Sequence, residues 1–351
     1  MTQTSAPPAV FAAPAVSGPP SAPHRARVLF VIAVAACLPY IVLKIVWICG
    51  GDTGIPADSV LLDPDRKTAL RLANGLTVLM DAAVLGLALL LTRPWGRRVP
   101  AWLLAFPMWL ATGLLAPIMV AFPIQLVAGA GSAGTAESRA FLDPWVFGVV
   151  YGGFIVQGLA LGGLFVPYAR DRWGRLWRGR IGELPDSPLA PARKATAVAA
   201  AALALCPLTT QLLWASGSAA GLSEDLAQDR GSDMYVSQGV GALFGLAAVT
   251  GLLLLAFRAR PGLRLAVPLA MAWTGSGVLT GWGGWMTLAS LAVDDAEAGA
   301  TPVMHLTYSV QMTVGLLILT AGAHFLAERA ASSAVSGNGT SSTPRSERSA
   351  A

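Results

Sequence analysis

Lys44 and Asp81 are the two ionisable residues clearly inside the apolar stretches of this 351-residue chain. Each costs ~2.5–3.5 kcal/mol at the centre of a bilayer on insertion scales, so each needs a partner or a task. Gln157, Gln211 and Gln311 add uncharged donors and acceptors to the same apolar phase. These five form a candidate intramembrane polar site. A lysine side chain can cover the difference in depth between Lys44 and Asp81, so an ion pair that responds to a proton or a solute is one reading. The same residues allow two others: a purely structural pair, or a Lys44 that snorkels outward while Asp81 keeps a proton.

Other constellations carry no chemistry. His305 and His324 stand about 28 Å apart along one stretch and cannot share a metal or haem iron, and Cys37 and Cys49 are about 18 Å apart. No Cys-x-x-Cys, His-Glu-x-x-His or Walker loop occurs. Gly275-Ser276-Gly277 is only superficially like the serine loop of intramembrane proteases, and Asp63-Pro64-Asp65 reads as a turn and helix cap before it reads as a metal-binding Asp-x-Asp. Val34-Ala35-Ala36-Cys37 has the look of a lipobox, but the apolar Leu38-Pro39-Tyr40-Ile41-Val42-Leu43 continues the stretch, which makes Cys37 a small packed residue. No catalytic residue, metal or cofactor is therefore expected, and an enzyme is the least favoured class.

The elements that position these residues are apolar helices. Hydrophobic residues make up 54% of the chain, charged ones 12%, and the mean hydropathy is +0.60, which excludes an ordinary soluble domain. Eight stretches reach the ~20 residues a spanning helix needs: 27–49, 71–92, 100–122, 145–168, 195–216, 236–257, 264–293 and 304–327. The seventh carries Gly281, Gly283 and Gly284, so a tilt or break is expected near its outer end. Trp273, Trp282 and Trp285 of that stretch read as interfacial or packing residues before they read as an aromatic pocket.

Basic residues divide unevenly between the two sides. With the N-terminus inside, the inner segments hold eighteen Lys and Arg and the outer ones five, while thirteen of nineteen acidic residues fall outside. That asymmetry sets both termini on the cytoplasmic side of the membrane. It also explains the pI near 9.4 without nucleic acid.

Offsets of 164 to 167 residues bring the first four stretches onto the last four. Trp47, Gly50 and Gly54 match Trp214, Gly217 and Gly221; Asp65-Arg66 matches Asp229-Arg230; Trp109 and Gly113 match Trp273 and Gly277. Farther on, Tyr151 and Gly158 match Tyr308 and Gly315, whereas Lys44 and Asp81 face Gln211 and Gly245. The fold class is thus an all-α polytopic membrane protein with eight transmembrane helices in a 4+4 parallel internal duplication. An even number of helices per unit relates the copies by an axis along the membrane normal and leaves a seam between them. The divisions are a disordered tail 1–26, a first repeat 27–168, a basic linker 169–194, a second repeat 195–328 and a disordered tail 329–351.

In the linker, Arg172, Trp173, Arg175, Trp177 and Arg178 alternate charge with aromatic rings. Trp173 and Trp177 would share a helical face, so the linker is expected to lie on anionic lipid of the inner leaflet, at ~1 kcal/mol per arginine. Gly158-x-x-x-Gly162 and Gly277-x-x-x-Gly281 suggest close helix packing.

Leu38-Pro39-Tyr40-x-x-Leu43-Lys44-x-x-Trp47-x-x-Gly50-Gly51, in an Ala- and Arg-rich chain, resembles uncharacterised multi-pass integral membrane proteins of high-GC Gram-positive bacteria. The resemblance is local and implies no activity. The reading from the residues is a membrane protein that binds or moves a small or amphipathic solute at the seam. A noncatalytic scaffold or accessory subunit is the alternative, and an intramembrane enzyme the third.

In a cysteine-free background, single cysteines at Gly131 and Ala298 are expected to react with an impermeant thiol reagent in intact cells, and those at Ser187 and Ser342 only after permeabilisation. Labelling of Ser342→Cys in intact cells would reverse the orientation.

Overall fold

The computed structural model describes residues 24–57, 59–62, 67–128, 142–228, 230–291 and 299–338. Eight long helices lie among them: α1 (His24–Ile48), α2 (Lys67–Thr92), α3 (Ala101–Val127), α4 (Pro144–Trp173), α5 (Ala190–Ala215), α6 (Ser232–Ala256), α7 (Ala266–Leu291) and α8 (Pro302–Asn338). Seven of them, all but α7, contain a run long and apolar enough to cross a membrane. The helices at either end extend past the expected boundaries, from His24 and as far as Asn338, and the rest of both tails lies outside the described residues.

Helix α7 has the length, 26 residues, but not the apolarity. Its five glycines and three tryptophans lower its hydropathy because it packs on protein, against α3, α6 and α8, and so answers to neighbouring backbones more than to lipid. The break expected near its outer end does not occur. A glycine there is a contact surface: Gly281 faces Leu110 and Leu114, and a Cβ on Gly283 would lie 2.7 Å from the Met312 nitrogen of α8.

Within the first half, α1 packs on α2 and α4, and α3 on α4; within the second, α5 packs on α6 and α8, and α7 on α6 and α8. The second half is the tighter. Ala197, Ala200 and Ala204 recur along one face of α5 and are at most 1% exposed, against Ala248 of α6 at 0%. Half of the apolar window of α6 is buried, compared with 17% for α2, which leans mainly on α1. Lipid chains are as apolar as leucine, so side-chain burial gives helices little reason to associate there; close van der Waals contact between small residues supplies it.

The two halves meet where α3 crosses α7. Gly113 and Gly277 touch backbone to backbone, and a Cβ on Gly277 would fall 2.8 Å from the Trp109 carbonyl oxygen and 3.2 Å from the Gly113 Cα. Both residues were paired by the repeat offset, and here they meet each other.

Helices α1 and α5 end in the same way. Gly50 and Gly217 take φ of +93° and +90°, a conformation that glycine adopts without Cβ strain. The amides of Gly51 and Ser218 donate to the Val46 and Leu213 carbonyls, at 2.8 and 3.0 Å, and those of Gly50 and Gly217 to the Trp47 and Trp214 carbonyls, the two bonds of a Schellman turn. Each Trp Nε1 then donates six residues ahead, Trp47 to the Thr53 oxygen at 2.8 Å and Trp214 to the Ala220 oxygen at 3.0 Å. Gly54 and Gly221 follow, at φ +76° and +78°, packed against Val146 of α4 and Val303 of α8. Of the Asp-Arg pairs, Asp65, Arg66 and Asp229 lie outside the described residues; Arg230 binds the carbonyl of Gly217 through Nη1 at 2.7 Å.

Gly277→Ala is expected to destabilise the detergent-solubilised protein by ~1–3 kcal/mol, because the new methyl meets backbone that cannot yield. Gly152→Ala, whose Cβ would have nothing within 4 Å, is expected to be neutral or slightly stabilising. Equal thermal midpoints for the two variants would refute a tight α3–α7 crossing.

Candidate functional site

Antiparallel packing of α1 on α2 sets two polar faces against each other. Cys37, Tyr40 and Lys44 follow i, i+3, i+7 along α1, and Asn74, Thr77 and Asp81 follow the same spacing along α2, which places each triplet on one helix face. Lys44 Nζ donates to Asn74 Oδ1 at 2.8 Å, Tyr40 stands beside Thr77, and Asp81 stands near Cys37. From α4, Gln157 stands beside Asp81, and its Nε2 donates to Cys37 Sγ at 3.1 Å.

The structure corrects the expected Lys44–Asp81 ion pair. The lysine ammonium lies 4.9 Å from the ring centres of both Tyr40 and Trp47 and on the Asn74 oxygen. Asn74 and Asp81 are seven residues apart, about 10 Å of helical rise, so one ammonium cannot serve both. Asp81 is 5% exposed, and its Oδ2 has no hydrogen-bond partner; Asn74, at 2%, likewise leaves Nδ2 unused. Buried polar atoms left unpaired in an apolar setting are costly, and these two mark the site.

The remaining candidates sit elsewhere. Gln211 Nε2 donates to Gln311 Oε1 at 3.1 Å between α5 and α8, with Gly241 of α6 close against the Gln211 amide. Nearby, Thr307 donates to Thr210 at 3.2 Å. The five residues therefore form two clusters, Lys44, Asp81 and Gln157 in the first half and Gln211 with Gln311 in the second. Neither cluster lies on the seam between the halves.

That seam is filled by direct contacts. Trp109 Nε1 donates to Ser276 Oγ at 3.0 Å, Trp282 Nε1 to the Leu114 oxygen at 3.3 Å, and Trp273 stacks on Phe165 with centroids 6.0 Å apart. At one end of the seam, Gln125 Nε2 donates to the Asp233 carbonyl oxygen at 3.1 Å and to Ser237 Oγ at 3.3 Å. Cavities of about 270 and 120 Å³ open at the opposite end, the larger lined by Leu184, Arg193, Phe325 and Glu328, the smaller by Arg97, Tyr168, Asp171 and Arg172.

The linker departs from the amphipathic helix expected of it. Helix α4 ends at Trp173, a short 3-10 turn covers Gly174–Leu176, and Gly179 turns the chain at φ +95°, so Trp173 and Trp177 share no helical face. The chain then runs beside the α6–α7 connection: Ile181 N donates to the Leu263 oxygen at 3.0 Å, Gly182 N to the Pro261 oxygen at 2.9 Å, and Leu265 N to the Gly179 oxygen at 3.0 Å. Ile181 is fully buried among Leu184, Leu255, Leu265 and Phe325, which ties this strap to the second half. Arg172 turns inward, to the Tyr168 hydroxyl and to the Val99 carbonyl at 2.7 Å, and Trp173 packs on Phe165 and Tyr168. Arg175 and Arg178 are exposed, and Trp177 is half-buried.

No family model matches the chain, and neither does any curated protein or solved structure.

Reading the sequence for charge found Lys44 and Asp81 but passed over Asn74, Thr77, Tyr40 and Cys37. The signal was the repeated i, i+3, i+7 spacing, visible only when neutral polar residues are counted with the charged ones. A double-mutant cycle on Lys44→Ala and Asn74→Ala is expected to return a coupling of ~0.6–1.7 kcal/mol, the range of hydrogen bonds between membrane helices, and a cycle on Lys44→Ala and Asp81→Ala a smaller one. The reverse order would restore the ion pair.

Proposed function

We propose that this multi-pass protein resides in the bacterial cytoplasmic membrane, crosses it eight times with both termini inside, and binds or moves a small or amphipathic solute. The site lies among Lys44, Asn74, Asp81 and Gln157 between α1, α2 and α4, not among residues of the seam. The observation that carries this reading is the buried Asp81 carboxylate oxygen with no partner, set in a face of polar residues that runs along two apolar helices. A 4+4 duplication is supported by the matching Schellman turns and tryptophan hydrogen bonds of α1 and α5, by the like packing order of the two halves and by the meeting of Gly113 with Gly277. On this reading α7 is the eighth span, admitted to the membrane because its glycine faces are covered by protein. The exposed arginines of the linker, Arg175 and Arg178, remain the candidates for anionic lipid of the inner leaflet.

The scaffold alternative draws on a different observation, the closely packed α3–α7 crossing, where the halves meet backbone to backbone. The two readings part on access. In a protein lacking its native Cys37, Cys49 and Cys206, Gln157→Cys is expected to react with small aqueous thiol reagents and to be protected by the transported solute, whereas Gln311→Cys, held in the second-half packing, is not. Absence of labelling at position 157 under any solute or pH, with intact folding, would leave the scaffold as the better account.

A further inference from the structure

Where α1, α3 and α4 meet, aromatic rings form a continuous wall. Centroids are 5.1 Å apart between Tyr40 and Phe154, 6.4 Å between Phe154 and Tyr151, and 5.1 Å between Tyr151 and Phe122. A carboxylate stands at each end. Asp81 lies near the Tyr40 end, and Asp233 of α6, whose backbone carbonyl Gln125 holds across the seam, lies within electrostatic reach of Tyr151. Both acids keep one buried oxygen without a hydrogen-bond partner. Tyr151 precedes Gln157, the neighbour of Asp81, by six residues, so the two carboxylates are separated along α4 by ~9 Å of rise.

The charges on this wall do not balance. In their ordinary ionised forms, Asp81 and Asp233 bring two negative charges; among the described residues Lys44 is the cation within electrostatic reach of Asp81, and Asp233 has no salt-bridge partner, the other titratable groups on the facing elements being Cys37, Tyr40 and Tyr151. One negative charge is left over in an apolar setting, where an unpaired charge costs far more than in water. Lys44 also shows what the wall accepts, since its ammonium sits 4.9 Å from the ring centres of Tyr40 and Trp47. Aromatic faces attract an ammonium through the ring quadrupole, by ~0.5–2 kcal/mol each as it is desolvated. A divalent metal would want six or more oxygen ligands, which rings do not supply. An anion would satisfy Lys44 and leave both carboxylates worse off.

We propose that the wall of Tyr40, Phe154 and Tyr151 is a binding site for a monovalent organic ammonium ion, held between the carboxylates of Asp81 and Asp233. This rests on the solute-binding reading above and names the class of solute. The excess of acidic residues in the outer segments concentrates cations on the side from which Asp233 is approached. Lys44 is the movable piece, a flexible four-carbon stem whose ammonium occupies part of the same wall and competes with the ligand.

Tetraethylammonium binding to the purified full-length chain, followed by tryptophan fluorescence and calorimetry, tests this. Saturable binding is expected, weakened about tenfold or more by Asp81→Asn and by Tyr151→Leu, the loss that ~1.4 kcal/mol of contact would give. Lys44→Ala is expected to bind several-fold more tightly, an effect that no misfolded variant would produce. Affinity unchanged by Asp81→Asn, or lowered by Lys44→Ala, would overturn the assignment. So would a protein whose fluorescence titrates with pH but ignores tetraethylammonium, since the missing charge would then be a proton. If tetraethylammonium fails while another solute protects Gln157→Cys from labelling, the ammonium site falls and the solute-binding reading stands.

Discussion

Backbone contact between α3 and α7 at Gly113 and Gly277 fixes how the two halves sit. In hydrocarbon there is no water to expel between helices, so cohesion comes from how closely backbones approach, and only glycine lets them touch. Neighbouring side chains follow from that approach. Trp109 reaches Ser276 and Trp282 reaches the Leu114 carbonyl because the two axes are close enough for an indole to bridge them. A crossing so tight leaves the polar chemistry to other interfaces.

The polar residues are accordingly distributed by half. A membrane helix satisfies its own backbone, and its polar side chains must find partners on adjacent helices. Gln211 and Gln311 do so in part, Gln211 Nε2 donating to Gln311 Oε1 across α5 and α8 while Gln211 Oε1 keeps no hydrogen-bond partner. Lys44 is served by Asn74 and two rings, and Gln157 by Cys37 and Asp81. Asp81 is only partly served, and the unequal packing of the halves matches this, since α2 is far more exposed along its length than α6. The second half has the character of a packed anchor, and the first that of the half with a polar interior.

The inter-half linker shows how an exposed-looking charge run becomes a structural part. Arginine alternating with tryptophan suggests a membrane-surface helix when seen alone. Gly174 and Gly179 end helicity, however, and the strap that follows finds edge-on hydrogen bonds with the α6–α7 connection. Arg172 spends its guanidinium on the Tyr168 hydroxyl and the Val99 carbonyl, and Arg258 reaches Asp186 at 3.0 Å. Basic residues gathered at one end of the helices thus also fasten those ends.

By itself the sequence determined that the chain is a set of apolar helices, where they lie, that Trp47, Gly50 and Gly54 recur as Trp214, Gly217 and Gly221, and which ionisable residues are out of place. Those follow from quantities read along the chain: run length, side-chain transfer energy and residue identity at a fixed offset. Only the tertiary structure decided that α7 runs unbroken, that Lys44 turns to Asn74 and not to Asp81, and that Gln157 belongs with one cluster and Gln311 with another. Helix faces are legible in one chain, but the rotation and axial shift that bring two faces together are set by close packing of every neighbour at once. A residue spacing cannot encode that choice, because the same i, i+3, i+7 face can meet any partner whose small residues let it approach.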